Sequence, residues 1–177
     1  MINQDTIFGI LSEQLPNFSP IGSLQPLQGG NLNHVWRLAG KEQSIIIKWA
    51  PPHIAANPEV PLSPKRLEFE AQALDLYADG GLLESLANED IRPPKLLHFE
   101  KNQHLLVMED LGESPSLTDW IDSGDEGWLG KQLGHFIGQL HKVTFEPNKL
   151  GQQFHNIDIQ QTRQKVQYNP AADYLLK

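Results

Sequence analysis

The sequence predicts an α+β fold in which a five-stranded antiparallel sheet carries a packed helix and is followed by further helices. Three observations lead to this prediction. Five short extended segments are separated by turns, a segment with helical spacing lies after the third of them, and apolar residues recur at helical spacing beyond Gly112. Because the links between neighbouring strands are short, we expect the strands to run antiparallel.

The composition is that of a folded, globular protein. Of the 177 residues, 39% are hydrophobic and 20% are charged, values that exclude a disordered or fibrous chain. The net charge of -8 disfavours nucleic acid and anionic membranes as partners. The chain has no cysteine, which excludes disulfides and thiolate chemistry. It also lacks a signal-peptide pattern and an apolar run of about 20 residues, so we expect a cytoplasmic location.

The first third of the chain predicts one helix and three strands. Apolar residues at helical spacing within residues 3–15 predict the helix, which Pro16 ends. Extended runs near residues 21–27, 34–39 and 43–50 follow, with glycine-containing turns between them. Residues 50–64 contain five prolines, so we expect an irregular connection there rather than a strand.

The middle of the chain predicts a second helix and the last two strands. Ser63 is a candidate N-cap with Pro64 at the first helical position, and the helical spacing continues to Gly80. Two apolar runs, 95–99 and 104–108, then flank a polar turn and read as strands. A short helix is then predicted around Leu117 to Ile121. A longer helix follows and carries apolar residues on one face, namely Leu129, Leu133, Phe136, Ile137 and Leu140.

Lys48 is the first candidate site residue. It ends an apolar strand in which alternation places it on the same face as Ile46, where an unpaired ammonium would cost several kcal/mol. Lys48 therefore needs a carboxylate or a ligand phosphate as partner. On the following helix, Glu70 lies inside the apolar arc whereas Glu68 points toward solvent, so Glu70 is the expected acid. An ion pair that serves folding alone is the alternative.

A glycine loop precedes the lysine strand. Gly29 and Gly30 allow a tight turn and a close approach of the backbone to a ligand. Asn31 and Asn33 either bind phosphate or hold the loop in place. An ordinary hairpin turn is the alternative interpretation for the two glycines.

A hinge is predicted where the last strand ends at Met108-Glu109-Asp110-Leu111-Gly112 and helices begin. Free backbone N–H and C=O groups at such a passage suit the edge of an adenine ring. An ordinary strand end is the alternative. We place the boundary between two parts of the chain here, with residues 1–110 forming one lobe and residues 111–177 forming a hinge and a partial helical lobe.

The order of glycine loop, strand lysine, helix glutamate and hinge is that of a kinase small lobe. The chain resembles the N-terminal part of the aminoglycoside phosphotransferase and choline kinase superfamily, and is most similar to its methylthioribose-kinase-like branch. Four segments carry the resemblance: Gly29 to Arg37, Ile46 to Pro52, the helix entry formed by Pro61-Leu62 and Arg66 to Leu74, and Met108 to Gly112. The resemblance covers roughly residues 20 to 145.

The resemblance implies a role for each candidate residue. Lys48 would contact the α- and β-phosphates of ATP, and Glu70 would orient Lys48. The loop residues would cover the phosphates, and the backbone of two hinge residues would hold the adenine. These residues are Gly29, Gly30, Asn31 and Asn33 in the loop and Glu109 and Leu111 in the hinge.

The family's catalytic loop is not apparent in the sequence. That loop carries an aspartate as base with an asparagine five positions on, followed by an acid that binds magnesium. Asp158 is the nearest candidate, but Arg163 stands where the asparagine is required and no glycine precedes Asp158. We therefore assign no catalytic and no metal-binding residue, and expect the Mg²⁺ ligands in an absent C-terminal portion.

Two functional hypotheses follow. In the first, the chain is the ATP-binding portion of a small-molecule phosphotransferase, truncated before its catalytic aspartate, whose complete form transfers the γ-phosphate to a hydroxyl of a small acceptor. In the second, the chain is a non-catalytic kinase-like module that binds nucleotide or protein. In either case, an apolar surface left uncovered by a missing lobe would favour self-association.

Overall fold

The structure is a computed structural model that describes residues 2–88, 91–113, 117, 126–145 and 150–168. Its helices and strands follow the predicted α+β order. In chain order they are α1 (Gln4–Gln14), β1 (Gln25–Pro26), β2 (His34–Leu38), β3 (Ile45–Trp49), β4 (His53–Ile54), β5 (Asn57–Pro61), α2 (Arg66–Asp75), a 3-10 turn (Glu84–Leu86), β6 (Leu96–Glu100), β7 (Leu105–Glu109), α3 (Glu126–Thr144), α4 (Ile157–Arg163) and a π-helical turn (Gln164–Tyr168).

The main sheet has five antiparallel strands in the order β1-β2-β3-β7-β6, which confirms the predicted fold class. Strand β3 lies at its centre. Lys48 of β3 is opposite Val35 of β2 on one side and Leu106 of β7 on the other. The register therefore places Lys48 in the middle of the sheet, away from its edges.

Helices cover both faces of the central strand. Ile45 and Ile47 pack in the cluster that contains Ile7 and Leu11 of α1. Ile46 packs instead with residues of α2, including Leu67. This alternation confirms that β3 is covered on two sides. Each aliphatic side chain buried in this way stabilises the fold by about 1.5–3 kcal/mol.

The segment between β3 and α2 differs from the prediction. Instead of an irregular connection, strands β4 and β5 form a two-stranded antiparallel sheet with an irregular register at His53 and Ile54. A strand with a partner on one side needs ladder hydrogen bonds along one edge alone, so Pro58 and Pro61 are tolerated in β5. The prolines were therefore a misleading signal.

Helix α2 begins and ends inside its predicted bounds. It starts at Arg66, after an N-cap residue, Lys65, that makes no side-chain cap, so the predicted Ser63 cap is wrong. The backbone carbonyl of Ser63, rather than its hydroxyl, faces the helix and accepts a hydrogen bond from the Arg66 guanidinium at 2.8 Å. The helix ends at Asp75, before Gly80.

The C-terminal elements are less buried than the apolar pattern predicts. Leu133 and Ile137 of α3 are each 40% exposed, and Trp128 is 43% exposed. Phe136 lies on the contacting side of α3, where its ring stacks on Tyr77 after α2 at 6.4 Å between centroids. The short helix predicted near residues 117–121 falls largely outside the described residues. Within the described ranges, no helix combines the length and the apolar character that crossing a membrane requires.

Candidate functional site

The predicted partner of Lys48 is in place. Lys48 Nζ donates to Glu70 Oε1 at 2.5 Å, across the face of the sheet that α2 covers. The Lys48 side chain keeps 24% of its surface exposed and that of Glu70 keeps 33%. An ammonium group has three donors, and among the described residues one of them is used. The remaining donors and the partial exposure leave Lys48 able to contact an anionic ligand.

The glycine loop connects β1 to β2 and ends two residues before Val35, the β2 residue that is opposite Lys48. Gly29 has a φ of +108°, a left-handed conformation that favours glycine. A Cβ at Gly29 would meet nothing within 4 Å, and one at Gly30 would approach no atom closer than 4.0 Å. Because His34, directly after the loop, is opposite Trp49, the loop lies next to the end of the lysine strand.

A buried arginine that no sequence pattern assigned to the site anchors this loop. The first residue of α2, Arg66, is 8% exposed. Its Nη2 donates to Leu32 O at 2.7 Å, and its Nε donates to Asn33 Oδ1 at 2.8 Å. Its other acceptors are the carbonyls of Pro51, His53, Leu62 and Ser63. Burial lowers the pKa of Arg66 to about 10, so the guanidinium stays charged at neutral pH.

The two loop asparagines differ in what they contact. The Asn33 side-chain oxygen is occupied by Arg66, so Asn33 holds the loop, the second of its two predicted roles. The backbone carbonyl of Asn31 accepts from the Ala56 N–H at 3.0 Å, and Leu32 O accepts from the Ala55 N–H at 3.4 Å. The turn of the β4–β5 hairpin thus supports the loop. Binding of phosphate by Asn31 stays a prediction.

The hinge is held by Asp110, whose side chain is 3% exposed. Ser44 Oγ donates to it at 2.6 Å, the Gly112 N–H donates at 2.9 Å, and Arg37 lies 2.7 Å away as an ion-pair partner. Burial raises the pKa of Asp110, but the hydrogen bonds from Ser44 and Gly112 and the Arg37 charge outweigh it and lower the pKa below its usual value. Sequence alone placed Asp110 in the hinge without a role.

The backbone groups proposed for adenine are unequally available. The Glu109 N–H donates to Lys95 O at 2.9 Å, so it is already used. The Glu109 side chain forms a two-point ion pair with Arg92, whose hydrogen bonds lower the pKa of Glu109. Within the described part of the chain, no acceptor pairs with the Leu111 N–H, and this residue is 52% exposed.

The sheet register sets the distance between the two ends of the site. Glu109 is opposite Ile45, whereas Lys48 lies three residues further along β3. At about 3.3 Å per residue, the hinge and the lysine are on the order of 10 Å apart along the strand. One extended ligand can therefore reach both the hinge and Lys48.

Asp158, the residue considered for catalysis, lines a cavity together with Pro52, Leu62 and Ser63. Asp158 is in the first turn of α4, which Asn156 caps by accepting from the Ile159 N–H at 3.3 Å. A helix N-terminus explains this sequence without catalysis. The described residues contain no group of three or more acidic or histidine side chains that could hold a metal ion.

Comparisons with known proteins point to kinases. No family model matches the chain. It is 30% identical to a 4-hydroxytryptamine kinase of Psilocybe cyanescens over 133 residues, which cover 68% of this chain and 36% of the relative. A 4-hydroxytryptamine kinase of Psilocybe cubensis is 23% identical over 154 residues, 81% of this chain and 42% of the relative. A methylthioribose kinase of Bacillus cereus is 33% identical over 124 residues, 69% of this chain and 29% of the relative.

These relatives are kinases, in agreement with the predicted resemblance, and they support a kinase-family function. The aligned region is less than half the length of each of the three relatives. The similarity therefore extends over one part of each of these kinases.

Proposed function

We propose that this chain is the ATP-binding portion of a small-molecule phosphotransferase that transfers the γ-phosphate of ATP to a hydroxyl group. The observation that carries the proposal is the Lys48–Glu70 pair beside an open glycine loop. The kinase names of the relatives support the same chemistry.

Lys48 would bind the phosphates with the donors that Glu70 leaves free. Glu70 holds the ammonium at one position, so it needs no reorientation when phosphate oxygens bind. The N–H groups of the glycine loop would add partial positive charge next to the phosphates. ATP supplies the activated phosphoryl group, and these residues of the chain bind and orient it.

At the other end of the site, the Leu111 N–H is the proposed donor to the adenine ring. Because the Glu109 N–H is already bound to Lys95, the Glu109 carbonyl is the group that would accept from the adenine amine. Asp110 keeps this segment in one conformation through Ser44 and Gly112. Residues 1–110 would thus form the nucleotide-binding lobe, and residues 111–177 the hinge and part of a helical lobe.

The described residues do not fit a magnesium site, so no step is assigned to the metal within them. We assign the catalytic base and the metal ligands to a further segment of the enzyme. The acceptor is proposed by class alone, as a small molecule with a hydroxyl group, since the relatives are named for two chemically different compounds.

A non-catalytic module that binds nucleotide or protein is the second candidate. The exposed apolar side chains of α3, Leu133 and Ile137, favour a role in association with a second copy or another protein.

Titration with a series of adenine nucleotides separates these functions. We expect ATP with Mg²⁺ to bind more tightly than AMP or adenosine, and we expect no transfer of radiolabel from γ-labelled ATP to small hydroxyl compounds by residues 1–177. Lys48→Met should remove the preference for ATP over adenosine. Equal affinity for ATP and adenosine in the unmodified chain would overturn the phosphate-binding role, and turnover that survives Lys48→Met would overturn the proposed division of the enzyme.

A further inference from the structure

We propose that Arg66 is a positioning residue of the nucleotide site: it joins the glycine loop to helix α2, so that the loop and the Lys48–Glu70 pair meet the phosphates as one rigid unit. This inference rests on the proposed function. It assigns to a buried arginine a role that neither the sequence motifs nor the kinase relatives supply.

Arg66 contacts the glycine loop directly. Arg66 Nη2 donates to the Leu32 carbonyl at 2.7 Å, and Arg66 Nε donates to Asn33 Oδ1 at 2.8 Å. Both acceptors belong to the half of the loop that leads into β2. Bonds from a charged donor are the stronger class of hydrogen bond, so they fix this half of the loop against the start of α2.

Arg66 also contacts the other segments around the site. The same guanidinium binds Pro51 O at 3.0 Å, just beyond β3, the strand that carries Lys48. It also binds Leu62 O at 3.3 Å and Ser63 O at 2.8 Å, immediately before α2. One side chain therefore joins the glycine loop, the end of the lysine strand and the entry of the helix.

Arg66 and Glu70 lie on the same helix, α2. The two residues are four positions apart in α2, which places them on the same face of the helix one turn apart. Arg66 holds the loop and Glu70 holds Lys48, so any displacement of α2 would carry both phosphate-binding elements with it.

Arg66 acts through these elements and does not itself bind phosphate. Its five N–H donors face six oxygen acceptors of the protein, and 8% of its surface is exposed. A lysine has a single nitrogen and cannot reproduce the planar set of donors. Arg66→Lys therefore keeps the charge but loses the loop geometry.

Two variants and one control test this role in residues 1–177. Asn33→Ala removes one loop bond and leaves the other acceptors of Arg66 in place, and Arg66→Lys removes the planar set of donors. Lys65→Ala, at the exposed neighbouring cation, is the control. Calorimetric titration with ATP and with adenosine measures the two affinities, and circular dichroism measures the thermal midpoint of each variant.

We expect both loop variants to weaken ATP binding by about tenfold, while adenosine binding changes by less than about twofold. Lys65→Ala should leave both affinities unchanged. Asn33→Ala keeps the test valid if Arg66→Lys fails to fold. A folded Asn33→Ala variant with the ATP-to-adenosine ratio of the parent chain would overturn the inference. A parent chain that binds neither ligand would overturn the proposed function and this inference with it.

Discussion

Glu70 Oε1 lies 2.5 Å from Lys48 Nζ, and both side chains remain partly exposed. Solvent-exposed ion pairs contribute about 0–1 kcal/mol to stability, and we expect a contribution near this range here because both side chains keep contact with solvent. The pair is therefore better explained by the fixed position that it gives the Lys48 ammonium than by its contribution to the stability of the fold. It holds a cation in one place next to an open loop.

Glu70→Gln should separate binding from stability. We expect the free energy of unfolding to fall by no more than about 1 kcal/mol, because the ion pair is partly exposed. ATP affinity should fall by about tenfold, because the released ammonium must be ordered by the ligand. Glu68→Gln on the same helix, which breaks an exposed pair with Lys101 of 2.8 Å, is the matched control. Equal losses of ATP affinity in the two variants would contradict a special role for Glu70.

The two glycines of the loop should respond differently to alanine. At Gly29, the φ of +108° makes a side chain strained although no atom lies within 4 Å, so Gly29→Ala should lower the free energy of unfolding by about 1–2 kcal/mol. Gly30→Ala, with negative φ and contacts at 4.0 Å, should change it by less than about 0.5 kcal/mol. Urea unfolding measures both values. A larger loss at Gly30 than at Gly29 would show that the loop conformation is not as described.

Leu111→Pro tests the hinge donor. Proline removes the N–H that we assign to adenine, whereas Leu111→Ala keeps it and truncates an exposed side chain. Adenosine affinity should fall by about tenfold in the proline variant and stay within about twofold of the parent in the alanine variant. Calorimetry with adenosine measures this difference, with circular dichroism as the check on folding. The same affinity in both variants would place the adenine elsewhere.

Asp110 should make the free energy of unfolding decrease as the pH falls into the acid range. Its pKa is depressed in the folded state, so its stabilising contribution is complete above the unfolded-state pKa of about 4 and is lost as pH falls toward the folded-state pKa. Asp110→Asn should lower the free energy of unfolding at pH 7 by about 1–3 kcal/mol and flatten its decline below about pH 5.

Glu113→Gln provides the control for the hinge carboxylate. Glu113 also pairs with Arg37, at 3.0 Å, but its side chain is 89% exposed. We expect little change in unfolding free energy at any pH for this variant. Urea unfolding between pH 3 and 7 compares the series, and a parallel decline in the parent and in Asp110→Asn would contradict the assignment.

Sequence periodicity predicted the strands of the main sheet and the inward direction of Glu70. Both follow from local patterns, the alternation along a strand and the spacing of apolar residues along a helix. Periodicity was not sufficient for Arg66, whose partners are mainly backbone carbonyls from distant segments that no residue pattern records. The β4–β5 hairpin was not predicted, because the five prolines of residues 50–64 indicated an irregular connection. Trp36 and Trp49 pack against the α1 cluster, whereas Trp128 is exposed.

The central claim is that Lys48 meets the phosphates of a bound nucleotide. An acyl-phosphate derivative of ATP transfers its acyl group to a lysine amine held beside the phosphate chain, and peptide mass spectrometry identifies which of the chain's lysines is modified. We predict that Lys48 is the main labelled residue, that excess ATP suppresses this labelling, and that adenosine suppresses it far less. Labelling of other lysines in place of Lys48, or labelling that ATP does not suppress, would contradict the claim.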